Sequence, residues 1–248
     1  MNILGIDTSS IVAAVAVLNS VKLSAEYLVN NRKVHSEKLM PIVDRVLKDS
    51  NLTLDDIDAV AVSKGPGSFT GIRIGMACAQ GIAHACNKPI IGVNTLDGLA
   101  YNLMFSDSLI CPVINAQRQE SYTSLYNWQA GKLCRLKDYL LINNSELAKL
   151  LLDLNKEVII LGDAAQLIME AVTTLIEDNY CQQNNILKAH PAFMMPKASS
   201  IAAAGLYAFS KGNYDDCFTL EPFYIRKSNA EEKWEERHGG KACTKHNS

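Results

Sequence analysis

Residues Ser63 to Gly75, reading Ser-Lys-Gly-Pro-Gly-Ser-Phe-Thr-Gly-Ile-Arg-Ile-Gly, come nearest to a chemical motif in this 248-residue chain. They follow the apolar run from Ile57 to Val62 and lead into a helix. A glycine-rich loop between a strand and a helix is a common phosphate cradle, because unpaired amide N–H groups at a helix start attract anions. The spacing fits neither common form. Lys64 precedes the glycines, and Gly65, Gly67 and Gly71 are mis-spaced for Gly-x-Gly-x-x-Gly. A second candidate is Asp7-Thr8-Ser9-Ser10, which ends the first apolar run. An acid there can hold a metal through water and the hydroxyls can touch phosphate. The same residues equally suit a plain turn.

Other chemistries find little material. The histidines His35, His84, His190, His238 and His246 never stand four apart, and no His-Glu-x-x-His occurs. A zinc or iron site needs three or four convergent ligands, so the expectation is no metal and no cofactor. Ser68 lacks the Gly-x-Ser-x-Gly frame of a nucleophile elbow, since Pro66 fills the first position. The seven cysteines form no Cys-x-x-Cys pair and read as reduced thiols. A net charge of −2 gives no global basic field to hold nucleic acid. Hydrophobic residues at 48% and charged residues at 20% are ordinary for a folded soluble chain. No signal peptide and no membrane span are expected, which points to the cytoplasm.

The elements that must position these residues follow from periodicity. Ile3–Ile6 and Ile11–Leu18 read as strands, the second covered on both faces. Residues 21–29 alternate apolar and polar, as a strand with one wet face does. Ser36 is a plausible N-cap of a helix with the apolar stripe Leu39, Ile42, Val43, Val46 and Leu47, and Pro41 suggests a start a few residues later. The strand at 57–62, a helix from about Thr70 to Cys86, a strand at Pro89–Val93 and a helix over Thr95–Phe105 complete a first unit. A second unit has strands at about 109–115, 121–128, 132–142 and 158–161, with helices at 145–154, 164–177 and 199–211. This is α/β order, and three strands then a helix recur. The order is that of a ribonuclease-H-like lobe, the repeating unit of actin-like ATPases. In that fold the Asp7–Ser10 turn would face nucleotide phosphates.

The helix after the glycine loop is made of small residues. Gly71, Gly75, Ala79 and Ala83 recur every four positions and form one ridge. Interior glycines each cost ~1 kcal/mol against alanine, so close approach of another backbone must offset the loss. That backbone is either the chain's own sheet or a partner's helix.

Four strings carry a family resemblance: Gly5-Ile6-Asp7-Thr8-Ser9, His35-Ser36-Glu37-Lys38-Leu39, Lys64-Gly65-Pro66-Gly67-Ser68-Phe69-Thr70-Gly71-Ile72-Arg73, and Pro89-Ile90-Ile91-Gly92-Val93-Asn94-Thr95-Leu96. With Glu221-Pro222-Phe223-Tyr224-Ile225-Arg226 near the end, the chain resembles the TsaB (YeaZ-like) family. The resemblance implies a two-lobed actin-like fold whose second lobe is degenerate. It implies a non-catalytic dimerisation subunit of the machinery that makes threonylcarbamoyladenosine in tRNA beside the anticodon. Its implied partners are the catalytic paralogue TsaD and the ATPase TsaE, with tRNA met through the complex and a homodimer formed when the chain is alone. The expected partner surface is Ser36, Leu39, Val43, Val46, Gly71, Gly75, Ala79 and Ala83.

The same resemblance marks lost chemistry. Where TsaD reads His-Leu-Glu-Gly-His and both histidines bind its metal, this chain reads Thr95-Leu96-Asp97-Gly98-Leu99. Of TsaD's Gly-Gly adenosine motif only Gly162 is kept, so Asp7, Thr8, Ser9, Ser10 and Gly162 are expected to be a vestigial nucleotide site. One stretch departs from the TsaB pattern: Asn115-Ala116-Gln117 stands where members often read Asp-Ala-Arg. Two enzyme readings stand as alternatives, an actin-like-fold ATPase and a glycoprotease-like metallopeptidase of the M22 type. The expected division is a first lobe at 1–106, a smaller second lobe at 107–230 and a polar tail at 231–248.

Overall fold

Alternation within three strands decides how the first half packs. Strands β1 (Asn2–Asp7), β2 (Val12–Asn19) and β4 (Ala59–Ser63) place large side chains on one face and small ones on the other. Leu4, Ile6, Val15, Val17, Val60 and Val62 form the floor of a core roofed by α1 (His35–Asp49) and α2 (Phe69–Ala85). The opposite face offers Gly5, Ala14, Ala16, Ala59 and Ala61. With β3 (Leu23–Asn30) and β5 (Ile90–Val93) the sheet order is β3-β2-β1-β4-β5, antiparallel among the first three strands and parallel thereafter.

The second half repeats that order. Strands β6 (Leu109–Asn115), β7 (Glu120–Thr123), β10 (Leu140–Asn143), β11 (Val158–Leu161) and β12 (Ile186–Lys188) run β10-β7-β6-β11-β12 with the same pattern of directions. A hairpin, β8 (Tyr126–Gln129) and β9 (Lys132–Arg135), is inserted between β7 and β10. It divides two runs that read as single strands at 121–128 and 132–142. Helices α4 (Asn144–Asp153) and α5 (Ala165–Glu177) cover one face.

Each half lends its closing helix to the other. Helix α3 (Thr95–Ala100) sends Leu96 and Leu99 into a core with Ile110, Ile114, Tyr126 and Leu161 of the second sheet. Helix α6 (Ala198–Ser210) lies on the small-residue face of the first sheet, where Ile201 and Ala202 meet Ile3, Ala59 and Ala61. A Cβ on Gly5 or Gly205 would come closer than 3.0 Å to Ala198 or Ala61, so the approach requires glycine on both elements. The boundary at 107–230 is therefore corrected: α6 belongs to the first lobe's packing. So do the residues after it, since Asp215 N donates to Ile90 O at 2.8 Å and Phe223 N to Lys64 O at 2.7 Å.

The computed structural model describes residues 1–30, 35–178, 180 and 185–226. The tail at 231–248, Cys181, Cys243, His238 and His246 lie outside them, as do the side chains of residues 35–37. Helix α1 begins at His35, which puts Ser36 within its first turn rather than at the N-cap and Pro41 in its interior. Helix α3 stops at Ala100 and passes into a 3₁₀ turn at Tyr101–Leu103, short of the expected Phe105.

Candidate functional site

The glycine loop lies on the first hairpin turn, and the two spend their polar groups on each other. Ser68 N donates to Ser9 O at 2.6 Å, and Thr8 Oγ1 donates to Gly71 O at 2.7 Å. Ser9 gives Asp7 Oδ1 two hydrogen bonds, from N at 2.9 Å and from Oγ at 2.7 Å. Ser10 Oγ accepts from Val12 N at 3.1 Å, and Ser68 Oγ caps α2 by accepting from Gly71 N at 3.2 Å. Asp7, Thr8 and Ser9 are buried. The Thr8 and Ser9 hydroxyls and the Ser9, Ser68 and Gly71 amides, which an ATPase reading would offer to phosphate, are thus engaged within the chain. Gly162 follows β11 with φ of +113°, and its three nearest neighbours are all atoms of Val113 in β6. A Cβ there would strike Val113, so the glycine admits the backbone of β6.

The ridge on α2 faces inward. Ala79 and Ala83 are in the core with Leu39, Val43 and Val46 of α1, all at most 2% exposed. Gly71 and Gly75 sit against Thr8, where an added Cβ would come closer than 3.0 Å to its carbonyl or hydroxyl oxygen. As contact residues for a partner these seven are corrected. Spacing of four put them on one face, and the chain's own sheet takes that face.

The outward face of α2 also carries small groups, alongside exposed Arg73 and His84. Thr70, Ala77, Gly81 and Ala85 are exposed, with Ile74 and Cys78 half-buried between them. A Cβ on Gly81 would meet nothing within 4 Å. Beside this face α1 exposes Met40, whose Sδ lies 3.2 Å from Cys78 Sγ. Burial pushes the Cys78 thiol up to about 11, so it stays protonated and behaves as a small apolar group. Farther along α1 the surface turns polar, with i,i+4 pairs Lys48–Asp44 at 2.6 Å and Arg45–Asp49 at 2.8 Å. Tyr27 OH donates to Asp49 at 2.5 Å, and this bond with the Arg45 contact holds that carboxyl below its ordinary range.

Two of the quoted strings, far apart in sequence, meet in space. Phe69 stacks on Tyr224 with centroids 4.6 Å apart, and Arg73 lies 3.9 Å over the Phe69 ring while its Nε donates to Tyr224 OH at 3.0 Å. Gln80 Nε2 donates to the carbonyls of Cys217 and Leu220 at 2.8 and 3.0 Å. Residues 215–226 thereby strap α2 to β5. At the far end of the strap Arg226 binds Ala116 O at 2.9 Å and the Glu120 carboxylate. The departure at Asn115-Ala116-Gln117 thus lies where the strap lands. Gln117, Arg118 and Gln119 there all have φ near +60°, a run of non-glycine left-handed residues that no sequence signal announces.

Thr95 and Leu99, the positions that the resemblance aligned with metal ligands, are given to packing. Thr95 Oγ1 shares a hydrogen bond with Ser63 Oγ at 2.7 Å, and Leu99 is 1% exposed in the core between the lobes. Among the described residues no three His, Cys, Asp or Glu side chains gather as a metal site would need. No helix among them is long and apolar enough to cross a membrane.

Comparison with known proteins agrees with this architecture. The family model described as TsaD, tRNA N6-adenosine threonylcarbamoyltransferase, matches residues 28–234. The tRNA threonylcarbamoyladenosine biosynthesis protein TsaB of Bacillus subtilis (strain 168) is 33% identical over 94% of this chain and 98% of its own length. The protein of that name from Escherichia coli (strain K12) is 37% identical over 51% of this chain and 55% of its own. Among solved structures, YeaZ from Pseudomonas aeruginosa superposes with a TM-score of 0.72 at 22% identity, covering 90% of this chain and 99% of that one. An activator of 2-hydroxyisocaproyl-CoA dehydratase from Clostridium difficile, with bound ADPNP, gives 0.50 at 12% identity, covering 85% and 95%. The fold is the two-lobed actin-like ATPase fold.

Proposed function

Since the chain belongs to the TsaB family of tRNA threonylcarbamoyladenosine biosynthesis proteins, we propose that it acts there as a non-catalytic scaffold. In this reading it binds a TsaD-like catalytic paralogue and helps recruit a TsaE-like ATPase, and tRNA is met through the complex. The observation that carries the reading is Gly81, an exposed interior helix glycine with open space where its side chain would be. It costs ~1 kcal/mol in helix propensity and nothing in the isolated chain offsets that cost. A partner helix packed close on the outward face of α2 would offset it. The surrounding groups, Ile74, Ala77, Cys78 and Met40, give that partner an apolar seat. Two neighbouring helices of 15 and 17 residues suit the ~800 Å² per partner that a stable interface buries. When the paralogue is absent, the same face is free to meet its own copy about a two-fold axis, giving a homodimer. Thr95 and Leu99, committed to the core, leave the metal chemistry to the paralogue.

The test is calorimetric titration of the chain into a purified TsaD-like paralogue, followed by an in vitro tRNA modification assay. Ile74→Glu should abolish binding while the variant keeps its native circular dichroism, with a lowered melting temperature because Ile74 also packs on the core, and modification should fall with binding. Undiminished modification by the paralogue without this chain would overturn the scaffold role. Unchanged affinity of Ile74→Glu would overturn the assigned face.

A further inference from the structure

A pocket of about 380 Å³ opens between the lobes, on residues that neither the subunit face nor the Asp7–Ser10 turn uses. Its size falls in the small-ligand range of ~300–1,000 Å³. Asn94 and Asp97 form one wall, three residues apart at the start of α3 and so on one side of it. Asp97 accepts from Tyr126 OH at 2.7 Å and from Tyr139 OH, which lies 2.9 and 3.0 Å from its two oxygens. Each tyrosine has one proton to give, so about half of the carboxylate's acceptor sites stay open. Asn94 is oriented by Leu96 N, which donates to its Oδ1 at 2.9 Å. Its Nδ2 is then a donor shut away from water with no partner, in a residue only 3% exposed.

The rest of the lining has two characters. Tyr101, Tyr139, Tyr207 and Phe223 bring aromatic rings, Phe223 standing edge-on to Tyr139 at 5.4 Å. Lys64 and Arg135 bring two positive charges against the single acid Asp97. The other acid near Arg135 is Asp138 at 4.0 Å, whose side chain is 96% exposed. Burial pushes Asp97 toward its neutral form, and the tyrosine hydroxyls and these two cations pull it back.

We propose that this pocket binds a nucleoside monophosphate. A donor on the base edge meets the open acceptor sites of Asp97. The plane of the base lies against the aromatic rings, and the phosphate meets Lys64 and Arg135. The proposal is independent of the scaffold reading, because it concerns the chain alone and a different surface.

Calorimetric titration of the full-length chain with AMP, GMP, CMP and UMP at fixed ionic strength tests it. At least one should bind one-to-one with Kd below about 0.1 mM. The matching nucleoside and inorganic phosphate should each bind about tenfold or more weakly. The Lys64→Ala/Arg135→Ala variant changes partly exposed groups and should lose about tenfold in affinity, whereas Ser10→Ala should change nothing. Asp97→Asn, which puts an amide donor where the base must donate, should reorder the four nucleotides. Absence of binding by all four would overturn the site. So would affinity retained in the double variant, or affinity lost in Ser10→Ala. An unchanged order in Asp97→Asn would overturn the edge assignment.

Discussion

Replacing Gly81 by alanine separates what the isolated chain requires from what a partner requires. The new methyl meets nothing within 4 Å, and the residue is exposed in the interior of α2. The change should therefore recover the ~1 kcal/mol by which glycine falls short of alanine in a helix. For a chain of this size that corresponds to a rise in melting temperature of about 2–4 °C. The paralogue's helix, if seated on this face, has no slack for the methyl, and overpacking of that kind costs ~1–3 kcal/mol. Since 1.4 kcal/mol is a factor of ten, binding should weaken by roughly 5- to 150-fold in Gly81→Ala and further in Gly81→Leu. Thermal unfolding of the chain alone and calorimetry with the paralogue measure the two effects separately. A fall in melting temperature would refute the view that the site is open. A rise accompanied by unchanged affinity in both variants would refute the claim that a partner covers it.

Gly75→Ala should behave in the opposite way: its Cβ would crowd the buried hydroxyl of Thr8, so thermal unfolding should show a net loss of ~1–3 kcal/mol despite better helix propensity. Arg73→Ala removes a hydrogen bond to Tyr224 and a contact with the Phe69 ring stacked on it, and should cost ~1 kcal/mol and speed hydrogen exchange of the backbone around Phe223 and Tyr224, while a distant probe such as β11 stays protected. The raised folded pKa of Asp97 sets a sign for pH dependence: its protonated form favours the native state, so its stabilising contribution is complete below the unfolded value of ~3.9 and is lost as pH rises through the folded value. The stability of the wild type relative to Asp97→Asn should accordingly fall between pH 4 and neutrality in urea titrations, and a difference that grows with pH would contradict the burial argument.

Periodicity made most elements legible, because a strand buried on one face must alternate and a helix buried on one stripe must repeat near 3.6. The lobe repeat was legible for the same reason. The direction of the Gly71-Gly75-Ala79-Ala83 ridge was not, since spacing says which residues share a face and is silent on what covers it. Helix α2 has small residues on both faces, so its composition could not decide. The return of α6 to the first sheet had a signal in the alternation of Val15, Val17, Val60 and Val62 with Ala14, Ala16, Ala59 and Ala61. A run of alanines on one sheet face calls for a helix that can come close, and Ala198, Ala202 and Gly205 provide one. The pocket at Asn94 and Asp97 had no comparable signal, because its walls come from positions as distant as Lys64 and Phe223 and only the closed fold joins them.

The Ser63–Gly75 string looks like chemistry for a reason that the packing explains. A phosphate loop and a tight structural joint ask for the same residues: glycines that admit a neighbouring backbone, a hydroxyl to cap the helix and a cation nearby. In this chain most members have an internal task. Gly67 and Gly71 admit the backbones of Ser9 and Thr8, Ser68 caps α2, Ile72 is fully buried, and Phe69 with Arg73 holds Tyr224. The neighbouring segment follows the same course, with Thr95 turned to Ser63 and Leu99 to the inter-lobe core. A catalytic lobe must keep polar groups exposed and uncompensated at its cleft, at a cost in stability. Converting those groups to caps, close contacts and apolar packing removes that cost and fixes the joint beneath α1 and α2. In the scaffold reading proposed above, a rigid joint would hold the outward face of α2 in one orientation, and a surface presented that way would meet a partner with less ordering to do on association.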